Sequence, residues 1–277
     1  MSKSILLYNG TVTLNFSEKA RNRYTIAETG DSPVGVTTVL QKVLAKEALM
    51  TWPMWEAIKY LKSIKHTDNE WIITEQDFTD SSTAYTKKSD KGKDSGTLIH
   101  RAVQLYLEGH KQAVLPNVQK SLEAFEKWHK NQNIHTLGTE QLVYSKKYNY
   151  AGTFDHLGID DGVVILDDLK TTNSSRTAPL GIYPEMFVQL GGYSLAYTEA
   201  NPKAPAIQDL RIIRLPKPQE TVNSKGEHIM SDDPIDINTI RASELGLSVR
   251  DCEEVWLQIL GTYRFMVPLA KKLKELK

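Results

Sequence analysis

One stretch limits the possible folds more than any other: YAGTFDHLGIDDGVVILDDLKTT, residues 150–172. Its centre, Asp161-Gly162, is a two-residue hairpin signal, because a type I′ turn needs positive φ at both central positions. The run 163–166, VVIL, is β-branched and apolar, as a buried strand requires. With Asp161-Gly162 as the loop, Asp160 pairs with Val163, and the same register carries Asp155 opposite Asp168. Opposed Cβ atoms lie about 5 Å apart, where like charges destabilise a sheet. Alternation puts Asp168 and Lys170 on one face with Val164 and Leu166, and turns Asp167 to the other. Two carboxylates and an ammonium therefore converge. Carboxylates held that close share a proton or a cation. For an isolated D-x-K the plain alternative is a surface hairpin with solvated acids, so its neighbours decide.

Residues 11–26 read as two short strands around a polar turn. Residues 34–64 read as helices, starting near Thr37 or Thr38 and broken at Pro53, with Trp52 and Trp55 in the core. The polar, lysine-rich segment 79–96 reads as a mobile loop. An amphipathic helix then ends at Gly109, and a second covers about 117–129. Strands follow at 139–148, 150–159 and 163–172, then a helix at 184–197 and a strand at 207–216. A polar, hairpin-like insert fills 216–238, and a long helix or helix pair closes the chain. Helix, three strands, helix, strand predicts an α/β (mixed α+β) fold, a mixed central sheet flanked by helices. Residues 1–95 are expected to form a hairpin, helices and a mobile loop covering a core of residues 96–277, all in one compact unit.

Composition excludes several classes. Lys+Arg and Asp+Glu both number 34 in 277 residues, so the chain is no strongly basic coat for nucleic acid, although a local basic groove stays open. A single cysteine, Cys252, excludes an internal disulfide and any cysteine-ligated zinc or iron–sulfur site; it reads as a small side chain in the C-terminal helix. The opening MSKSILLYNG has no signal-type apolar run, and no stretch approaches the roughly eighteen apolar residues of a membrane span. An intracellular protein without a membrane partner is expected.

Around the hairpin stand Glu140, His100 in GTLIH, and Gln189 and Tyr193, which share a helix face in QLGGY. Each alone is ordinary. In order, GTLIH, Glu140, GTFD, DDLKTT and QLGGY resemble the motif series of the PD-(D/E)XK nucleases of the RecB-type branch. The lead-in VGVTTVL and the phrase YAGTFD are similar to those of mitochondrial genome maintenance exonucleases and their bacteriophage relatives. The resemblance spans roughly residues 33–200.

It implies a restriction-endonuclease-like core of order αβββαβ with additional N- and C-terminal helices. It also implies a cytoplasmic setting in a bacterial or phage-infected cell. Asp155, Asp168 and His100 would ligate the metal, with the Leu169 carbonyl as a further ligand. Lys170 would orient or activate the attacking water, and Glu140 would be a helper acid. Gln189 and Tyr193 would lie near the metal and the DNA backbone. The family's opening proline is replaced by Phe154. An iron–sulfur subtype would need four cysteines, so no such cluster is expected. No P-loop occurs, so a helicase, like a single-strand-binding protein, would be a separate partner.

The chemistry of the residues points the same way. Several carboxylates without thiolates suit Mg²⁺ or Mn²⁺, and a histidine adds affinity for Mn²⁺. Lys87 and Lys88 are candidate phosphate contacts, and Trp52, Trp55, Tyr85 or Tyr148 candidate base-stacking groups; each also has a plain reading as core or surface. The expected function is a metal-dependent deoxyribonuclease, an exonuclease preferring single strands or ends. A structure-specific endonuclease and a non-catalytic nucleic-acid-binding subunit are the alternatives. A glycoside hydrolase using the two acids fits poorly with Lys170 beside them.

Overall fold

The computed structural model describes residues 2–20, 23–44, 47–64, 73–110, 114–172, 181–218, 220–222, 228–230 and 235–276. The side chains of residues 47–52, 88–94, 117, 220–222 and 228–230 lie outside that description. Two compact units result, one of Met1–Val43 with Ile99–Lys277, the other of Leu44–Leu98.

The chain opens with an antiparallel sheet of β1 (Ser2–Leu7), β2 (Val12–Ser17) and β3 (Tyr24–Ile26). The first of these strands lies outside the two expected over residues 11–26. A short β4 (Val34–Gly35) leads into α1 (Val36–Val43). Helix α2 (Glu47–Ser63) runs through Pro53 rather than breaking there. Proline's fixed φ is helical, and what it forfeits is one backbone hydrogen bond. Trp55, expected in the core, is exposed, as is Met54; the small unit that holds them does not enclose that face. Trp52 falls among the undescribed side chains.

The expected loop at 79–96 is helical, part of α3 (Glu75–Leu107). Two local devices explain this. Thr74 and Asp77 form a reciprocal cap, with Thr74 N–H donating to Asp77 Oδ2 at 2.8 Å and Asp77 N–H to Thr74 Oγ1 at 3.2 Å. The hydroxyls of Ser81, Ser82 and Thr83 donate back to the carbonyls of Phe78, Thr79 and Asp80, so polar residues that usually break helices are satisfied within one. Gly109, at φ 78°, lies just past the helix end as expected.

Next come α4 (Pro116–Lys130), β5 (Ile134–Ser145), β6 (Tyr150–Asp160), β7 (Val163–Thr172), α5 (Pro184–Ala200) and β8 (Asp209–Pro216). This is the expected helix, three strands, helix, strand. The polar insert is a small hairpin, β9 (Glu220–Val222) with β10 (His228–Met230), followed by β11 (Asn238–Arg241). One helix, α6 (Val249–Glu275), closes the chain, capped by Ser248 and Asp251 and continuous through Pro268. Among the described residues no helix is long and apolar enough to cross a membrane.

The central sheet has the order β11-β8-β7-β6-β4, with β5 on the other side of β6. β7 and β8 are parallel, while β5–β6 and β6–β7 are antiparallel. On one face, Leu169, Ile213 and Leu215 pack with Ile99 and Val103 of α3 and Leu122 and Phe125 of α4. The other face carries α5, which α6 approaches closely. A Cβ on Gly191 would stand 2.5 Å from the backbone of Cys252, and one on Gly192 would stand 2.9 Å from the Trp256 ring. The paired glycines of QLGGY are thus a helix-packing contact. Cys252 is buried there, which pushes its thiol up to about 11.

Candidate active site

The site forms where the β6–β7 hairpin comes apart. Asp161 and Gly162 take φ 49° and 85°, the two positive values of the predicted turn. From there the ladder runs in the expected register, Asp160 with Val163 through His156 with Asp167, and ends. Beyond it β7 continues along β8 to Thr172, while the far end of β6 pairs with β4 at Tyr150 and Ala151. The strands therefore fork at the next position, which belongs to Asp155 and Asp168. Backbone groups freed by the fork need other partners. Leu169 N–H finds one in Asp155 Oδ2, at 2.6 Å.

The neighbouring strand extends the row. Thr139 pairs with His156 and Gln141 with Phe154, which places Glu140 beside Asp155. Glu140 was expected to open its strand; it lies instead in the interior of β5, with φ 44°. A non-glycine residue in the left-handed region is uncommon, and its cost is met where surrounding structure imposes it. Glu140, Asp155 and Asp168 thus stand in line across three adjacent strands.

Each acid has a cationic or polar neighbour. His100 Nδ1, from α3, lies 3.7 Å from Asp155 Oδ1. Lys170 Nζ lies 2.5 Å from Asp168 Oδ2 and donates to Gln189 Oε1 at 3.4 Å. Gln189, from α5, donates through Nε2 to Asp168 Oδ1 at 3.1 Å and to the Tyr193 hydroxyl at 3.0 Å. Lys3, on β1, reaches Glu140 Oε2 at 3.5 Å and its carbonyl at 3.4 Å. That last contact, 137 residues apart in sequence, had no signal in the chain.

Burial acts against every charge in this group, and the partners decide the balance. Asp155 is pushed up by burial, but the charge and hydrogen bond of His100, Lys170 and the Leu169 N–H hold it below the usual carboxylate range. Asp168 is pushed up to about 6 by burial, with Asp155 adding to the rise and Lys170 opposing it. Glu140 is raised by burial and by Asp155, against Lys3. Burial would lower Lys170 and His100, but the neighbouring carboxylates raise both.

The donor set fits a hard divalent cation. One ligand atom each from His100, Glu140 and Asp155 lie within 4.8 Å of one another. Ligands on opposite sides of one ion, at about 2.0–2.6 Å from it, stand about 4–5 Å apart. Asp168 Oδ2 is buried, with the Lys170 ammonium 2.5 Å away as its ion-pair partner. Carboxylate oxygens with one imidazole suit Mg²⁺ or Mn²⁺.

The other predicted residues are placed as follows. Tyr193 is buried, packed where a Cβ on Gly152 would stand 2.4 Å from its ring, so it holds Gln189 rather than facing a substrate. Asp167 turns to the opposite face, as alternation requires. There it receives Arg211 Nε at 2.7 Å and Nη2 at 3.0 Å, and sits 2.7 Å from His156 Nδ1. Lys87 is exposed on α3 and pairs with Asp80 at 3.2 Å, whereas the Lys88 side chain lies outside the described residues. Tyr85 is partly exposed, and Tyr148 is half-buried beneath Lys147. A cavity of about 460 Å³ between α5 and α6, lined by Phe187, Leu245 and Val255, contains none of the site residues.

No protein-family model matches the sequence, and no curated protein matches it. Among solved structures, the chain is similar to SSO0001, with a TM-score of 0.24 and 13% identity, covering 80% of this chain and 90% of that one. It is also similar to LHK-Exo in complex with dAMP, with a TM-score of 0.27 and 13% identity, covering 63% of this chain and 93% of that one. Likeness of this degree assigns no residue a role; the site rests on its own geometry.

Proposed function

We propose that this chain is a divalent-metal-dependent deoxyribonuclease that hydrolyses phosphodiester bonds, acting as an exonuclease on single strands or DNA ends. One observation carries the reading: Glu140, Asp155 and Asp168 align across three strands at a fork, with His100 on the central acid and Lys170 on the last. His100, Glu140 and Asp155 would hold the ion, with Asp168 Oδ2 and the Leu169 carbonyl as further donors. A bound Mg²⁺ or Mn²⁺ supplies the charge that acidifies water and offsets negative charge growing on the phosphate.

The chain's own groups set the geometry. Asp168 and Lys170 form an ion pair 2.5 Å apart, and Lys170 would orient or activate the attacking water from beside that carboxylate. Gln189 fixes both members, and Tyr193 fixes Gln189. The Leu169 N–H locks Asp155. Such preorganisation lets the site meet charge that develops during reaction without rearranging.

The test uses end-labelled linear single strands and closed circular single strands with Mg²⁺ or Mn²⁺, EDTA controls and Lys170→Ala. Cleavage of linear DNA alone, lost with EDTA and in Lys170→Ala, supports the exonuclease reading. Cleavage of circles would replace it with an endonuclease. No metal-dependent cleavage of single-stranded, duplex or branched DNA would leave a binding subunit.

A further inference from the structure

We propose that Lys3 is an exchangeable cation of the site: it neutralises Glu140 while no metal is present, and turns to a substrate phosphate once a metal takes that carboxylate. The proposal rests on the metal-site reading above and adds a substrate-binding residue from a part of the chain outside the nuclease motifs.

The sequence position is the first observation. In β1 the exposed residues are Ser2, Ser4 and Leu6, while Lys3, Ile5 and Leu7 alternate with them and point inward. Ile5 and Leu7 pack against the apolar cluster of Leu14, Ile26, Leu142 and Tyr144. Lys3 is thus a half-buried lysine on the inward face of a strand, with its ammonium turned toward the acidic row. Its partner is Glu140.

The second observation is how loosely it is held. Both contacts of Nζ, 3.5 Å to Oε2 and 3.4 Å to the carbonyl, are longer than an ordinary N–H···O bond, and the side chain is 30% exposed. A partly exposed pair of this geometry stabilises little, so it can be exchanged readily.

The third is where Glu140 stands. It shares one ligand group with His100 and Asp155. An ion ligated there would bind the carboxylate that Lys3 now neutralises, and a dication and an ammonium around one carboxylate repel each other. The ammonium must turn away, yet its stem is anchored by the β1–β2 ladder, where Lys3 pairs with Phe16. It therefore stays beside the site, with Glu18 as the other carboxylate that feels its charge and its donors within reach of a phosphate. Lys170 already stands at the Asp168 end of the acidic row. Lys3 would supply a matching cation at the Glu140 end, where a phosphodiester crossing the row carries its negative oxygens.

The test uses the full chain and two separate readings. Mn²⁺ uptake is followed by electron paramagnetic resonance without nucleic acid. Because Lys3 competes with the ion for Glu140, Lys3→Gln should bind Mn²⁺ about three- to tenfold more tightly. In the Glu140→Gln background the same change should have no effect. Binding of a fluorescein-labelled single-stranded oligonucleotide is then measured in Ca²⁺. Lys3→Gln should weaken it several-fold and reduce the log–log salt slope by about 0.7, as for one lost phosphate contact, and Lys3→Arg should restore both.

Weaker Mn²⁺ binding in Lys3→Gln would make Lys3 a fixed clamp and overturn the proposal. So would unchanged oligonucleotide affinity and slope. Lys3→Met serves as the second variant if Lys3→Gln loses its cooperative melt. Should the wild type take up Mn²⁺ yet cleave nothing, only the nuclease reading falls; should it take up none, both fall.

Discussion

Asp167 and Asp168 are adjacent, yet they should respond to the same substitution in opposite ways. Asp167 is fully buried, receives two hydrogen bonds from Arg211 and sits against His156. Arg211 in turn reaches Asp160 at 2.5 Å, which also accepts from Arg241 at 2.8 Å. The network ties β6, β7, β8 and β11 together on the face away from the acidic row. Asp167→Asn removes a charge from Arg211 and turns an amide N–H₂ toward a guanidinium. Breaking a buried, hydrogen-bonded pair costs about 3–5 kcal/mol. For a domain of this size that lowers Tm by roughly 2–4 °C per kcal/mol, or about 6–20 °C. Asp168→Asn also takes a partner from Lys170, but that side chain is 26% exposed and keeps Asp155 nearby, while the change relieves a carboxylate that burial and Asp155 push up to about 6, so the metal-free fold should lose less than about 1 kcal/mol. Its cleavage rate should fall about 10²–10³-fold, as when a preorganised electrostatic group is lost.

Denaturant unfolding at several pH values, with single-strand cleavage at 20 °C, reads both. Burial would raise Asp167, but His156 and Arg211 hold it below the usual carboxylate range. A depressed carboxyl pKa stabilises the fold above the unfolded value near 4, and that stability is lost as pH falls through the folded value. The gap between wild type and Asp167→Asn should therefore be full at pH 6–7 and close as the pH drops below about 4. If Asp167→Asn melts within about 1 °C of wild type, or loses cleavage while folded, the division of labour between the two faces of β7 is refuted.

Other outcomes follow from the same geometry. Lys170→Ala should lose about 10²–10³-fold in cleavage yet retain Mn²⁺ binding, read by single-turnover kinetics beside a metal titration. His100→Ala and Glu140→Gln should each weaken Mn²⁺ binding at least about tenfold, and excess EDTA should abolish cleavage reversibly on adding Mg²⁺. Gly191→Ala would set a Cβ 2.5 Å from the Cys252 backbone, forcing α6 away from α5 at a cost of about 1–3 kcal/mol, visible as a lower Tm with site chemistry intact below it.

The sequence by itself determined what is local. Asp-Gly between two β-rich runs specified the turn, the turn specified the register, and strand alternation then separated Asp167 from Asp168. The order of helices and strands followed from periodicity. Some local signals were present but masked by composition: the Thr74–Asp77 cap and the back-bonded hydroxyls of α3 lie in a segment whose polarity reads as a loop. Tertiary structure alone decided the rest. That the hairpin forks at Asp155 depends on β4 arriving to take the other end of β6. The left-handed turn of the backbone at Glu140, the clamp of Gln189 on Asp168 and the reach of Lys3 to Glu140 all join elements distant in the chain. Periodicity reports which face of an element is apolar, but not which other element comes to cover it, and the acidic row exists only where those elements meet.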